Sequence, residues 1–153
     1  MTFSDSIRTC FSNYATFSGR AIRSEYWWFA LFLIIVSALL GFFSDALSAA
    51  FSLATLLPSM AVAARRLHDS DKSGWWQVAP LGSVILTAVL LEFETNILAF
   101  ASGAFAVVSV VLVLVWLIKT GTPGRNRFGP DPLGPNRSDD EEGYSESSIP
   151  KVD

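Results

Sequence analysis

Between Trp27 and Ile118 the chain alternates long uncharged apolar segments with brief polar interruptions. Four segments, residues 27–44, 46–64, 75–91 and 97–118, contain no Lys, Arg, Asp or Glu. A bilayer core about 30 Å thick takes about 17–25 residues of helix. Each segment reaches that length, the third only just. One such run is compatible with a buried helix of a water-soluble domain. Four in succession predict an all-α integral membrane protein with four transmembrane helices.

The interruptions predict the connectivity. The first segment runs into GFFSDA, with Gly41 placed to leave one helix and Ser44 or Asp45 to cap the next. The helices therefore form two antiparallel hairpins. The second segment repeats Ala46, Ala50 and Ala54 at every fourth position, which predicts close packing. Pro58 predicts a kink, with Ser59 or a neighbour serving the freed carbonyl. Ala99 and Gly103 form a packing pair in the fourth segment, whose later part has a lipid-facing composition.

Outside the segments the pattern changes. Phe3, Ile7, Cys10, Phe11 and Tyr14 recur at helical spacing and predict a short amphipathic helix, capped by Ser4 or Asp5 and ended by Gly19. Such a helix lies in the membrane interface, packs on the ends of the bundle, or does both. The organisation expected is an amphipathic cytoplasmic segment over residues 1–26 and a four-helix domain over 27–118. A Gly/Pro-rich strap over 119–132 and a disordered acidic tail over 133–153 follow. The first 26 residues lack a continuous apolar core, so the first membrane helix is expected to direct insertion itself.

Charge orients this arrangement. All eleven Lys and Arg fall before the first segment, between the second and third, or after the fourth. The other two connections carry only Asp45, Glu92 and Glu94. The positive-inside rule then places both termini in the cytoplasm. The net charge of −3 hides an asymmetry. Near the membrane, eight basic residues face four acidic ones, whereas the tail after Pro132 carries six acidic residues against two basic. A basic collar of this kind favours anionic phospholipid. Trp27, Trp28, Trp75 and Trp76 sit where interfacial aromatics belong.

Three stretches, FSGRAIRSEYWWF (17–29), PSMAVAARRLHDSDKSGWW (58–76) and GTPGRNRFGPDP (121–132), together resemble the signature of the domain-of-unknown-function 805 family. The resemblance covers about residues 3–132, in the family's order and spacing. It implies a small multi-pass protein of the bacterial cytoplasmic (inner) membrane. It implies no reaction.

By this topology the three stretches converge on one face. A structural reading makes Arg20, Arg23, Glu25, Arg65, Asp69 and Asp131 a collar of ion pairs. A second reading leaves Arg66, His68, Arg125 and Arg127 to bind an anionic lipid head group, since guanidinium forks suit phosphate. A lipid-modifying enzyme is a weaker alternative. His68 and Asp69 are adjacent and point apart on an extended loop, and GTPGRNRFG lacks the Gly-Lys-Ser/Thr of a Walker loop. One His and one distant Cys give no metal site of ordinary ligands, and one Cys allows no intrachain disulfide. No cofactor and no nucleic-acid partner is expected. An oligomeric small-solute channel or transporter is the remaining alternative, although the four segments contain no ionisable residue to couple ions. The sequence thus favours a membrane-embedded binding or organising protein, with a protein partner or a homo-oligomer as further options.

Overall fold

The computed structural model describes residues 1–93 and 96–134. Glu94 and the acidic tail from residue 135 onward lie outside the described residues. Helix α1 spans Phe3–Ser12, α2 Arg23–Phe43, α3 Asp45–Asp69, α4 Val78–Glu92 and α5 Asn96–Ile118. A 3-10 turn, Gly74–Gln77, leads into α4. Among the described residues, four helical stretches are long and apolar enough to cross a membrane: α2, α3, the turn with α4, and α5. The four expected segments are therefore helices, and the protein is all-α.

Their surfaces explain the composition. Ile34, Leu39, Phe42, Leu53, Ile85 and Val107 are all exposed. In water such continuous apolar area drives association, whereas in lipid it faces its natural solvent. A single residue, Ser44 in extended conformation, joins α2 to α3, so Gly41 stays helical rather than ending α2. The hairpin is close there, since a Cβ on Gly41 would touch Ser48 at 3.8 Å. In the second hairpin, Ser102 Oγ donates to the Ser83 carbonyl and Thr87 Oγ1 bonds Ser102 Oγ.

The hairpins pack on each other mainly at one end. Leu67 of α3 meets Val113 and Leu117 of α5, with Tyr26 and Trp116 at the margin. The buried residues of α5, Ala99, Ala106, Ser109, Val113 and Leu117, form one stripe. Val113 is thus a core residue, although the composition around it suggests lipid exposure. On α3 the correction runs the other way. Ala46, Ala50 and Ala54 are exposed, and burial begins with Thr55 and Pro58 and becomes nearly continuous from Ala61 to Asp69. The close approach lies in the last turns of the helix, where neighbouring loops cover it.

Helix α1 is capped by Thr2, not Ser4 or Asp5, in a reciprocal capping box with Asp5. It ends at Ser12, well before Gly19. Its apolar side packs on the first hairpin: Cys10 is buried with Ala21, Phe29 and Val62, and Phe11 meets Phe29 edge-on at 5.6 Å. Just beyond α1, the Tyr14 hydroxyl donates to the Ala54 carbonyl. That carbonyl is the one Pro58, with no N–H, leaves without a helical partner. Ser59 Oγ serves Leu56 instead, at 2.7 Å.

Candidate functional site

The charged end of the bundle is built around the last turn of α3. Asp69 ends that helix and is almost fully buried. Each of its carboxylate oxygens takes one arginine. Arg20 holds Oδ1, through Nε at 2.9 Å and Nη2 at 2.8 Å, and Arg66 Nη1 holds Oδ2. The backbone of Asp69 is used as well: its carbonyl accepts from Thr122 N at 2.8 Å and Thr122 Oγ1 at 3.1 Å.

The two arginines carry this hub outward. Arg20 donates to the carbonyls of Gly124 and Thr122, each at 2.6 Å. Arg66 donates to Leu117 O at 3.1 Å and to Lys119 O. These are carbonyls at and beyond the end of α5, where no further helical turn supplies donors. One carboxylate thus joins the loop before α2, the end of α3, the end of α5 and the strap that follows. Gly121 makes the fit possible: a Cβ there would lie 2.1 Å from Asp69 Oδ2.

The strap is folded by the same logic. Asn126 Nδ2 donates to His68 O at 2.9 Å, and Asn126 pairs with Gly129 through both backbone groups. Gly124 and Gly129 have φ of +70° and +144°, conformations that favour glycine. Asp131 accepts from the N–H groups of Leu133 and Gly124, each at 2.9 Å, and those bonds hold its carboxyl below the usual range. His68 stacks flat on Phe128 at 3.9 Å, and its Nδ1 meets Gly19 O at 3.1 Å. Arg127 also lies over the Phe128 ring, at 4.7 Å, and pairs with Asp71 at an exposed site.

A second buried pair lies beneath α1. Arg65 Nη1 donates to Glu25 Oε1 at 2.7 Å, and both side chains are 6% exposed. Arg65 Nε and Nη2 are buried without a protein partner. Cys10 Sγ approaches the same Glu25 oxygen at 4.0 Å. Burial, reinforced by the Glu25 charge, pushes the Cys10 thiol up to about 12, which leaves it an unreactive thiol.

The structure therefore brings Arg20, Glu25, Arg65, Arg66, Asp69 and Asp131 together at one end. Arg66, expected to face a ligand, is fully buried, and each of its nitrogens has a partner. Arg23 and Arg125 are exposed and make no ion pair among the described residues. Trp28 meets Phe3 edge-on, Trp27 meets Tyr26, and Trp76 meets Trp116, while Trp75 is largely exposed. Gly121 and Gly74 are site residues that the sequence reading passed over. A Cβ on Gly74 would lie 2.7 Å from that of Ala64, so the turn into α4 rests directly on α3.

A helical bundle with lipid-facing surfaces and one elaborately paired polar end defines a small multi-pass membrane protein of the inner membrane. The chain belongs to the family described as "Protein of unknown function (DUF805)", whose profile matches residues 14–130. It is 34% identical over 131 residues to the inner membrane protein YhaH of Escherichia coli K12, covering 78% of this chain and 89% of that one. It is 39% identical over 127 residues to the inner membrane protein YhaI of the same organism, covering 78% and 88%. The uncharacterized protein YiiR is 33% identical over 126 residues, covering 76% and 85%. No solved structure matches the chain.

Proposed function

We propose that the protein is a membrane-embedded binding or organising protein, whose charged end is a prefolded cytoplasmic platform. The observation that carries this reading is the closure of the Asp69 hub. Its two arginines are committed to holding the strap and the end of α5 in place. A buried carboxylate shared by two guanidiniums is costly to assemble, and removing it leaves two buried cations unmatched. Such an investment suits a surface that must keep one shape for a partner. His68 is similarly committed, to Gly19 O and to the face of Phe128.

The cytoplasmic orientation rests on the sequence positions of the Lys and Arg residues, all of which fall before the first span, between the second and third, or after the fourth. In a Cys10→Ser background, cysteines introduced at Asp45 and Glu92 are expected to react with an impermeant thiol reagent added to intact cells. A cysteine at Ser70 is expected to stay unlabelled until the membrane is opened. Labelling at Ser70 from outside would reverse the orientation.

A further inference from the structure

Beside the hub a cleft of about 860 Å³ opens between the start of α2 and the strap. Its walls are of two kinds. Trp27, Trp28 and Leu31 form an apolar side continuous with the lipid-facing surface of α2. Arg23, Asp69, Thr120 and Asp131 line the polar part, and Leu133, just past the strap, is 79% exposed at its edge. The aromatic wall is held in position, since Phe3 braces Trp28 at 5.8 Å and Tyr26 braces Trp27 at 5.2 Å.

Electrostatics points the same way. Arg23, Asp69 and Asp131 are the charged residues that line the cleft, and Arg20 and Arg66, buried behind it, offset the two carboxylates. Asp69 is spent on Arg20 and Arg66. Asp131 lies 3.9 Å from Arg20 and accepts two backbone N–H groups. Arg23 is the surplus cation, exposed and without an ion pair among the described residues. A guanidinium at the boundary between an apolar wall and a polar floor fits an amphiphile with an anionic head.

We infer that this cleft binds one anionic phospholipid of the surrounding leaflet, its phosphate on Arg23 and an acyl chain along Trp27, Trp28 and Leu31. This deepens the platform reading by naming a ligand class and a site. It moves the ligand contact away from Arg66, whose guanidinium is enclosed, to Arg23. Leu133, fixed through its N–H to Asp131, closes the rim against the lipid.

The test uses the full chain in a non-ionic detergent, with native mass spectrometry counting bound lipid. The probes are phosphatidylglycerol, zwitterionic phosphatidylcholine and soluble glycerol 3-phosphate. The wild type is expected to retain one phosphatidylglycerol and neither of the other two. Arg23→Gln is expected to weaken retention about tenfold or more, the loss of a charge-assisted contact. Arg125→Gln removes an equal charge from the exposed strap and is expected to change retention less than about threefold. Leu133→Asp, which leaves Arg23 in place, is expected to weaken retention by placing a negative charge at the rim. Equal losses in Arg23→Gln and Arg125→Gln would reduce the effect to diffuse surface charge and overturn the site. Binding of glycerol 3-phosphate as tight as that of the lipid would overturn the lipid assignment. A lowered melting temperature in Arg23→Gln would make Arg23 part of the clasp and would overturn its role as the free cation. None of these results touches the platform reading, which fails if Asp69→Asn leaves the strap unaffected or if a cysteine at Ser70 is labelled from outside.

Discussion

At the scale of single residues, the account turns on how tightly Asp69 is enclosed. Gly121→Ala puts a methyl group where the carboxylate now sits, so the carboxylate must leave Arg66 or push the strap outward. The expected loss of stability is about 1–3 kcal/mol, typical of overpacking. Asp69→Ala is expected to cost about 3–5 kcal/mol, because Arg20 and Arg66 are then buried without their counter-charge. Gly82→Ala is the control. A Cβ there meets nothing within 4 Å, and the change is expected to be neutral or slightly stabilising in thermal unfolding. Asp131 adds a pH dependence. Its carboxyl is held below its unfolded value, so its contribution is complete above about pH 4 and fades as pH falls through the lower, folded value. Strap resonances are expected to broaden or shift over that acidic window in the wild type and not in Asp131→Asn.

At the scale of elements, α1 is joined to α3 through a defect in α3. Pro58 deprives the Ala54 carbonyl of its helical donor, and Tyr14 supplies a hydroxyl from outside the helix. In lipid no water is at hand to replace it. Tyr14→Phe is therefore expected to destabilise the protein by about 1 kcal/mol in thermal unfolding. In a Pro58→Ala background, residue 58 regains its N–H and Tyr14→Phe is expected to have little effect. Additive effects in this double-mutant cycle would mean that Tyr14 acts by packing alone.

The sequence makes these elements unequally legible. The four spans are plain because lipid tolerates apolar side chains all round a helix, so no interrupted pattern is needed. The convergence of three polar stretches on one end follows from the connectivity. What cannot be read is which neighbour each guanidinium meets. Arg65 and Arg66 are adjacent, yet the turn of the helix sends one toward Glu25 and the other toward Asp69 and the end of α5. That choice depends on where α2 and α5 stand around α3. The same dependence makes Val113 a core residue and leaves the alanines at 46, 50 and 54 exposed. Gly121 and Tyr14 become intelligible only when the distant atoms they serve, Asp69 Oδ2 and Ala54 O, are in place.

At the scale of the whole molecule, two hairpins with little packing between them are clasped at one end. Leu67, Val113 and Leu117 provide the apolar part of the clasp, and the Asp69 hub the polar part. Away from the clasp each hairpin is held internally by contacts such as Ser48 Oγ to Ser37 O and Ser102 Oγ to Ser83 O. The clasp is then what gives the molecule one arrangement and its charged end one shape. Hydrogen exchange of the strap peptide, residues 119–132, tests this most directly, compared between wild type and Asp69→Asn in the same detergent. Asp69→Asn keeps the shape of the side chain and removes its charge. The account expects a protected strap in the wild type and exchange at least about tenfold faster in the variant, as follows from losing a buried counter-charge. Peptides of α4 and of the first half of α5, which the hub does not touch, are expected to exchange alike in both. A strap that exchanges at the same rate with and without the Asp69 charge would contradict the claim that this carboxylate holds the molecule together.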